Sequence, residues 1–158
     1  MIFLSIHTFR KALLQLSKAK KSEYASIRSD IAKSFLNKTS EEIFSSPDMI
    51  NQNETFKVIK LRIANTNAKF SKRDGYRMIY LVNNQNDMVC LLYVYPKKGS
   101  LQQINISDKD LKQYLIEFTY DFISYNLVCH NILDDLSINK KQICNIEACE
   151  YEQLSCED

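Results

Sequence analysis

The spacing of apolar residues changes twice along this chain, and each change marks a different kind of element. Residues 2–6 (IFLSI) are short and apolar, as a first strand would be. Phe9, Leu13 and Leu16 then recur at helical spacing, and so do Tyr24, Ile27, Ile31 and Phe35. The polar run KAKK at 18–21 separates these two stripes, so they predict a helical hairpin. Thr39-Ser-Glu-Glu42 has the form of a capping box and predicts another short helix, ended by Pro47. Residues 51–54 read as a polar connector. The period then falls to two. Across 58–63, Ile59, Leu61 and Ile63 share one face while Val58, Lys60 and Arg62 share the other. Residues 76–82 and 89–95 predict two more strands, joined as a hairpin over 83–87, and Pro96 ends the second. Ser107-Asp-Lys-Asp110 opens a last helix, with Leu111, Leu115, Phe118 and Phe122 on one stripe and an expected end near Asn126. The predicted class is α+β: a small antiparallel β-sheet with an N-terminal helical hairpin and a C-terminal helix.

Composition changes this picture in one respect. Only two Gly and two Pro in 158 residues imply few sharp turns and mostly regular structure. The net charge of +2 conceals an asymmetry. Residues 1–118 carry a net +8 and residues 119–158 a net −6, so the chain is a basic body with an acidic tail. The expected division is a domain over 1–125 and, over 126–158, a helix extension with an acidic, Cys-containing tail. Two arrangements of that tail are weighed. It folds as a polyanion over the Lys60/Arg62/Arg77 face, or Phe122, Ile123, Leu127 and Ile132 continue the last helix and pack on the body. The second is the simpler expectation.

The basic charge is concentrated. Between residues 57 and 98, nine cations (Lys57, Lys60, Arg62, Lys69, Lys72, Arg73, Arg77, Lys97 and Lys98) accompany only Asp74 and Asp87. A sheet carrying so much charge of one sign repels itself unless it holds a polyanion, and nucleic acid is the first candidate. Other chemistry is sparse. There is no GxGxxG, P-loop, HExxH or GxSxG motif. His7 and His130 lie far apart in sequence and read as surface or strand-end residues. Asp108, Asp110 and Asp121 read as caps and solvated helix face rather than as metal ligands. The five cysteines, at 90, 129, 144, 149 and 156, form no CxxC and read as reduced thiols of a cytosolic protein, not a zinc site. The MIFLSI start is too short for a signal-peptide core and no run approaches a membrane span, so a soluble, cytoplasmic protein without metal or cofactor is expected.

Lys, Arg and Tyr suffice for one reaction class, the cleavage of RNA by its own 2′-hydroxyl. The substrate brings the nucleophile, and the protein need only orient it, move protons and hold charge on the phosphorane. A lysine crowded by other cations has a lowered pKa, which lets it act in acid–base roles. The bland alternative is a surface that grips phosphates and does nothing more.

The segment KLRIANTNAKFSKRDGYRMIYLV, followed by LLYVYPKK and a helix beginning SDKDLKQYL, resembles the RelE/HigB toxins of type II toxin–antitoxin systems, within the RelE/ParE superfamily. The likeness spans roughly residues 1–120 and rests on the order of these motifs. It implies a RelE-like fold and a metal-independent endoribonuclease (an mRNA interferase) that acts on mRNA at the ribosome, contacts ribosomal RNA, inhibits translation and is neutralised by a cognate antitoxin protein. On that resemblance Lys60 and Arg62 are the basic strand residues of the cleft, Arg77 grips the scissile phosphate, and Tyr95, Lys97 and Lys98 complete the site. Lys57, Lys69, Lys72 and Arg73 would hold RNA. The chain departs from RelE itself at Val58, where that family places a second lysine, and at Ile104 and Ile106, where no tyrosine follows the last strand. Two rivals stand beside this reading: a non-enzymatic ParE-like inhibitor of DNA gyrase, and a basic RNA-binding module without catalysis. Retention of Lys60, Arg62 and Arg77 argues against the first, and the lack of exposed-aromatic motifs argues mildly against the second.

Overall fold

The computed structural model of the chain describes residues 1–139. The strands are β1 (Ile2–Ser5), β2 (Met49–Gln52), β3 (Lys57–Ile63), β4 (Tyr76–Asn83), β5 (Met88–Pro96), β6 (Val128–Asn131) and β7 (Ser137–Ile138). They form one sheet in the order β2-β3-β4-β5-β1-β6-β7. Only the contact of β1 with β5 is parallel. Four helices accompany it: α1 (His7–Ser17), α2 (Ile27–Phe35), α3 (Ser40–Phe44) and α4 (Asp108–Ile123). The class is α+β, as the periodicity predicts, but the sheet has seven strands where four are legible in the sequence, and β1, one of those four, enters it parallel.

The centre of the sheet is covered on both faces, which is why β4 and β5 read as almost unbroken apolar runs. One face is covered by α1 and α2, and aromatic contacts tie α2 and the segment before it to the sheet. Phe35 meets Tyr80 edge-on at 5.1 Å and Phe3 at 5.2 Å, while Tyr24 approaches Tyr76 at 6.1 Å. Tyr80 is therefore core. On the opposite face α4 lies across β5, with Tyr114 stacked on Tyr93 at 5.0 Å. Helix α4 buries no residue completely, and Ile116, Tyr120 and Ile123 form an exposed stripe on its outer side. None of the helices among the described residues is long and apolar enough to cross a membrane.

The capping box that the sequence predicts, Thr39 with Glu42, opens α3, and at the predicted start of α4 Ser107 and Asp110 form a second one. Helix α1 has no side-chain cap of its own. Glu117 of α4 supplies one from across the fold, accepting from the Thr8 backbone amide at 2.9 Å and from the Thr8 hydroxyl. A carboxylate at that end satisfies an amide without a helical partner and complements the helix dipole.

Three expectations are corrected. Residues 49–52 are a strand at the sheet edge, where a polar connector was expected across 51–54; the whole strand is exposed, so no apolar alternation announced it. Helix α4 ends at Ile123 and does not continue through Leu127 and Ile132. The chain turns back as β6 against β1, Leu127 is buried, and Ile132 lies in a short 3₁₀ turn before β7. His130 is not at the surface. It is 4% exposed, with Nε2 at 2.6 Å from the Ser5 hydroxyl and Nδ1 at 2.8 Å from the Leu136 carbonyl. His7 is exposed at the start of α1. The acidic stretch from Glu147 onward, with Cys144, Cys149 and Cys156, lies outside the described residues, and with it the competing-polyanion arrangement of the tail.

The His130 contacts fix its tautomer. A carbonyl can only accept, so Nδ1 carries the proton, and neutral Nε2 accepts from Ser5, whose oxygen in turn accepts from Arg10 at 3.1 Å. Desolvation holds the His130 pKa below its ordinary 6.5, and the nearby Arg10 and Arg28 act in the same sense. Below 6.5 the unfolded chain binds a proton that the folded chain resists, so stability falls as pH drops from 6.5 through the folded pKa. Thermal midpoints between pH 7 and pH 5 should therefore decline for the natural protein, and the decline should be shallower in His130→Gln. An equal slope in both proteins would remove His130 as the cause.

Candidate nucleic-acid interface

The antiparallel ladder fixes which side chains share a face. Arg62 pairs with Arg77, and Arg77 with Tyr95, so the three form one row across β3, β4 and β5. Lys60 pairs with Ile79 and Ile79 with Tyr93, the next row on the same face. Lys97 follows Tyr93 and Tyr95 at the two-residue period, just past the end of β5. The Lys60 amide donates to the Asp48 carbonyl at 3.0 Å, away from β4. The pairs Lys60–Ile79 and Arg62–Arg77 are thus of the non-hydrogen-bonded kind, in which facing side chains stand closest. Two arginines are held directly opposite one another, an arrangement that costs energy unless an anion relieves it.

Polar contacts organise this face. The Lys60 ammonium donates to Asn105 Oδ1 and lies 5.9 Å from the centre of the Tyr95 ring. Tyr95 donates to the same Asn105 oxygen at 3.4 Å, and the Lys97 ammonium donates to the Ile104 carbonyl. Arg77 folds back over the basic loop, with Nη1 donating to the carbonyls of Lys72 (3.0 Å) and Tyr76 (3.2 Å) and Nη2 to that of Arg73 (2.9 Å). A guanidinium has five N–H donors, so Nε–H and one Nη2–H stay free for a phosphate. Among the described residues no carboxylate is ion-paired with Lys60, Arg62, Arg77 or Lys97, and the one salt bridge joins the Met1 ammonium to Asp87 at 2.8 Å.

Burial lowers the pKa of Lys60 below the usual 10.5, and Arg77, Lys97 and Arg62 lower it further. Arg77 is likewise lowered, by burial first and by Arg62 next. Tyr95 is raised by burial and keeps its proton. At 1% exposure it supports Lys60 rather than meeting a ligand broadly.

Glycines frame the face at both ends. A Cβ on Gly75 would lie 2.1 Å from the Ile63 carbonyl, so only glycine lets the basic loop close against the end of β3. Gly99 has φ +97°, and a Cβ there would lie 2.4 Å from the Tyr24 hydroxyl. That hydroxyl donates to the Lys98 carbonyl at 3.0 Å and accepts from the Leu101 amide at 3.1 Å, pinning the loop that carries Asn105.

The structure gathers Lys60, Arg62, Arg77, Tyr95 and Lys97, and flanks them with Lys72 and Arg73 of the loop between β3 and β4. It does not gather the rest. Lys57 shares the opposite face with Ile59; its ammonium donates to the Phe44 carbonyl at 3.0 Å and sits 4.4 Å from the centre of the Phe44 ring. Lys69 stands exposed at the tip of the small hairpin closed by Asn65 and Phe70, and Lys98 is exposed beyond Lys97. Asn105 was missed from sequence because a single Asn between Ile104 and Ile106 carries no signal without the fold.

No group of three His, Cys, Asp or Glu residues that could hold a metal ion occurs among the described residues. The buried Ser5–His130 pair has the atoms of a nucleophile and base, but Ser5 is fully buried and its hydroxyl is spent on His130. Cys90 is also fully buried, and burial pushes its thiol pKa up, away from the reactive thiolate. No protein-family model matches the chain, and no curated protein does.

The lowered Lys60 pKa has a testable origin. In Lys97→Gln it should rise toward 10.5, because a repelling charge is gone; in Asn105→Ala it should fall further, because the charged form loses its acceptor. NMR titration of the lysine Cε resonances reads both shifts, and movement in the same direction would contradict this account.

Proposed function

We propose that this protein is a metal-independent endoribonuclease of the RelE/HigB toxin type, with a RelE-like arrangement of its α+β fold, that cleaves mRNA at the ribosome and stops translation. One observation carries the reading: four cations with no ion-pair partner among the described residues converge on one sheet face, and one of them is a lysine whose pKa is depressed by burial and then by the other three. That combination suits a phosphorane better than a passive phosphate grip, because a grip needs charge alone while the reaction also needs a group that exchanges protons.

In the proposed reaction the 2′-oxygen attacks the adjacent phosphorus as neutral Lys60 takes its proton. Arg62 and the two free N–H groups of Arg77 hold the phosphorane oxygens. The bond to the 5′-oxygen breaks as the Lys97 ammonium protonates it, leaving a 2′,3′-cyclic phosphate and a 5′-hydroxyl. Exchange with water resets both lysines. The reading includes contact with ribosomal RNA through Lys72 and Arg73, and a neutralising antitoxin partner.

A second reading, RNA binding without cleavage, is favoured by one observation: Arg77 already spends three of its five donors on loop carbonyls. The two separate in one experiment. Purified protein and ribosomes programmed with a defined message should give cuts that persist when free metal is chelated, wherever the ribosomes stay intact. The ends should be 2′,3′-cyclic or 3′-phosphates, and the rate should rise with pH as Lys60 loses its proton. Arg77→Ala should lower cleavage about 10²–10³-fold, the range for removing one donor to a developing charge, and Lys60→Met about 10²–10⁴-fold, the range for removing a positioned base, both with unchanged circular dichroism. Ends bearing 3′-hydroxyls would exclude this mechanism. Tight RNA binding with no cleavage by the natural protein would establish the second reading.

A further inference from the structure

A second cationic site lies around the edge of the sheet from the first. Strand β2 covers only residues 57–59 of β3, so the edge of β3 beyond Lys60 is uncovered. The Lys60 amide points toward that edge, and Arg62, two residues on, turns its own amide the same way, past the end of β2. A pocket of about 270 Å³ opens there, between α2 and β3. At about 30 Å³ per water it has room for roughly nine waters, or for a phosphate with part of its hydration.

Its floor is apolar, from Leu61, Ile63 and Ala64, and basic residues stand around it. Lys33 and Lys38, from α2 and the turn after it, line the pocket together with Lys72 of the basic loop and the strand edge at Arg62 of β3. Among the described residues no carboxylate forms an ion pair with any of the four. The one acid present, Asp30, is already committed: it accepts from the Ser26 hydroxyl at 2.7 Å, the Thr66 hydroxyl at 2.7 Å and the Thr66 amide at 3.1 Å. Three lysines around one satisfied carboxylate, with the Arg62 strand-edge amide turned the same way, make a recess suited to an oxyanion. Two of those cations lie outside the basic block at 57–98, so the charge is assembled by the fold.

We propose that this pocket is a second phosphate site, which takes a neighbouring backbone phosphate of the RNA strand whose scissile phosphate lies at the Lys60/Arg77 face. Arg62 belongs to both sites and joins them: its side chain shares the face with Lys60 and Arg77, and its strand edge lines the pocket. The proposal rests on the RNA reading above and deepens it by giving the strand a path, from the sheet face around the β3 edge toward α2.

The test uses the full chain, ¹⁵N-labelled, with two probes: inorganic phosphate and a single-stranded 2′-deoxy oligonucleotide that cannot be cleaved. Phosphate should shift the Arg62 amide and the α2 amides near Lys33 in the natural protein, and these shifts should be lost in the double variant Lys38→Gln/Lys72→Gln. Both residues are surface lysines, and an unchanged spectrum elsewhere shows that the variant is folded. The same variant should bind the oligonucleotide about 10-fold more weakly. Its log Kd against log salt should flatten by about 1.4, since each lost contact to a single strand removes about 0.7 from the slope. Oligonucleotide binding with unchanged affinity and slope in the variant would overturn the pocket's role while leaving the first site standing. Phosphate shifts at Arg62 without any oligonucleotide binding by the natural protein would overturn the RNA reading itself and leave a site for a small phosphate compound.

Discussion

The register of three strands is the constraint on which the rest of this molecule depends. Beneath the cationic face, Ile59, Met78, Tyr80 and Val94 are almost fully buried against the helical layer. A slip of one residue in β3 would exchange that apolar row for Lys60 and Arg62. Burying an unpaired cation costs far more than a misplaced methyl group, so the packing below dictates the position of the charges above. The arginine pair and the Lys60 environment are consequences of how the opposite face fills.

Such a face has to tolerate its own repulsion. Three devices are visible, and none is a salt bridge. Backbone carbonyls of the basic loop take up the Arg77 guanidinium, Asn105 and the Ile104 carbonyl accept from the two lysines, and the Tyr95 ring lies beside Lys60. Dipoles and π-density disperse charge without cancelling it, so the net positive potential remains available to a ligand. A carboxylate in the same place would have stabilised the apo protein at the expense of that potential. Asp74 and Asp48 are near enough to be felt by Arg77 but form no ion pair with it.

Much of this was legible because it is local. The period-two stretch at 58–63, the hairpin ended by Pro96 and the starts of α3 and α4 follow from residues within a few positions of each other. What was not legible depends on pairing between distant segments. Strand β6 is set by β1, more than a hundred residues earlier, and His130 is buried only because that pairing places it beside Ser5. Strand β2 has no buried residue and so left no hydrophobic trace. Lys57 is a different case, since the alternation that puts Lys60 and Arg62 on one face puts Lys57 with Ile59 on the other. Charge density over a whole segment concealed a distinction that parity already contained.

The chain has two glycines, and both are spent at the borders of the same face. One seats the basic loop, its carbonyl accepting from the Lys97 amide at 2.8 Å, and the other admits the Tyr24 hydroxyl that holds the loop bearing Asn105. Genetic drift at those two codons would therefore act like damage to the site, although neither position would be suspected from charge or chemistry. A basic surface is usually robust, since one lysine substitutes for another nearby. Here that redundancy stops at two places where the permitted alphabet has a single letter.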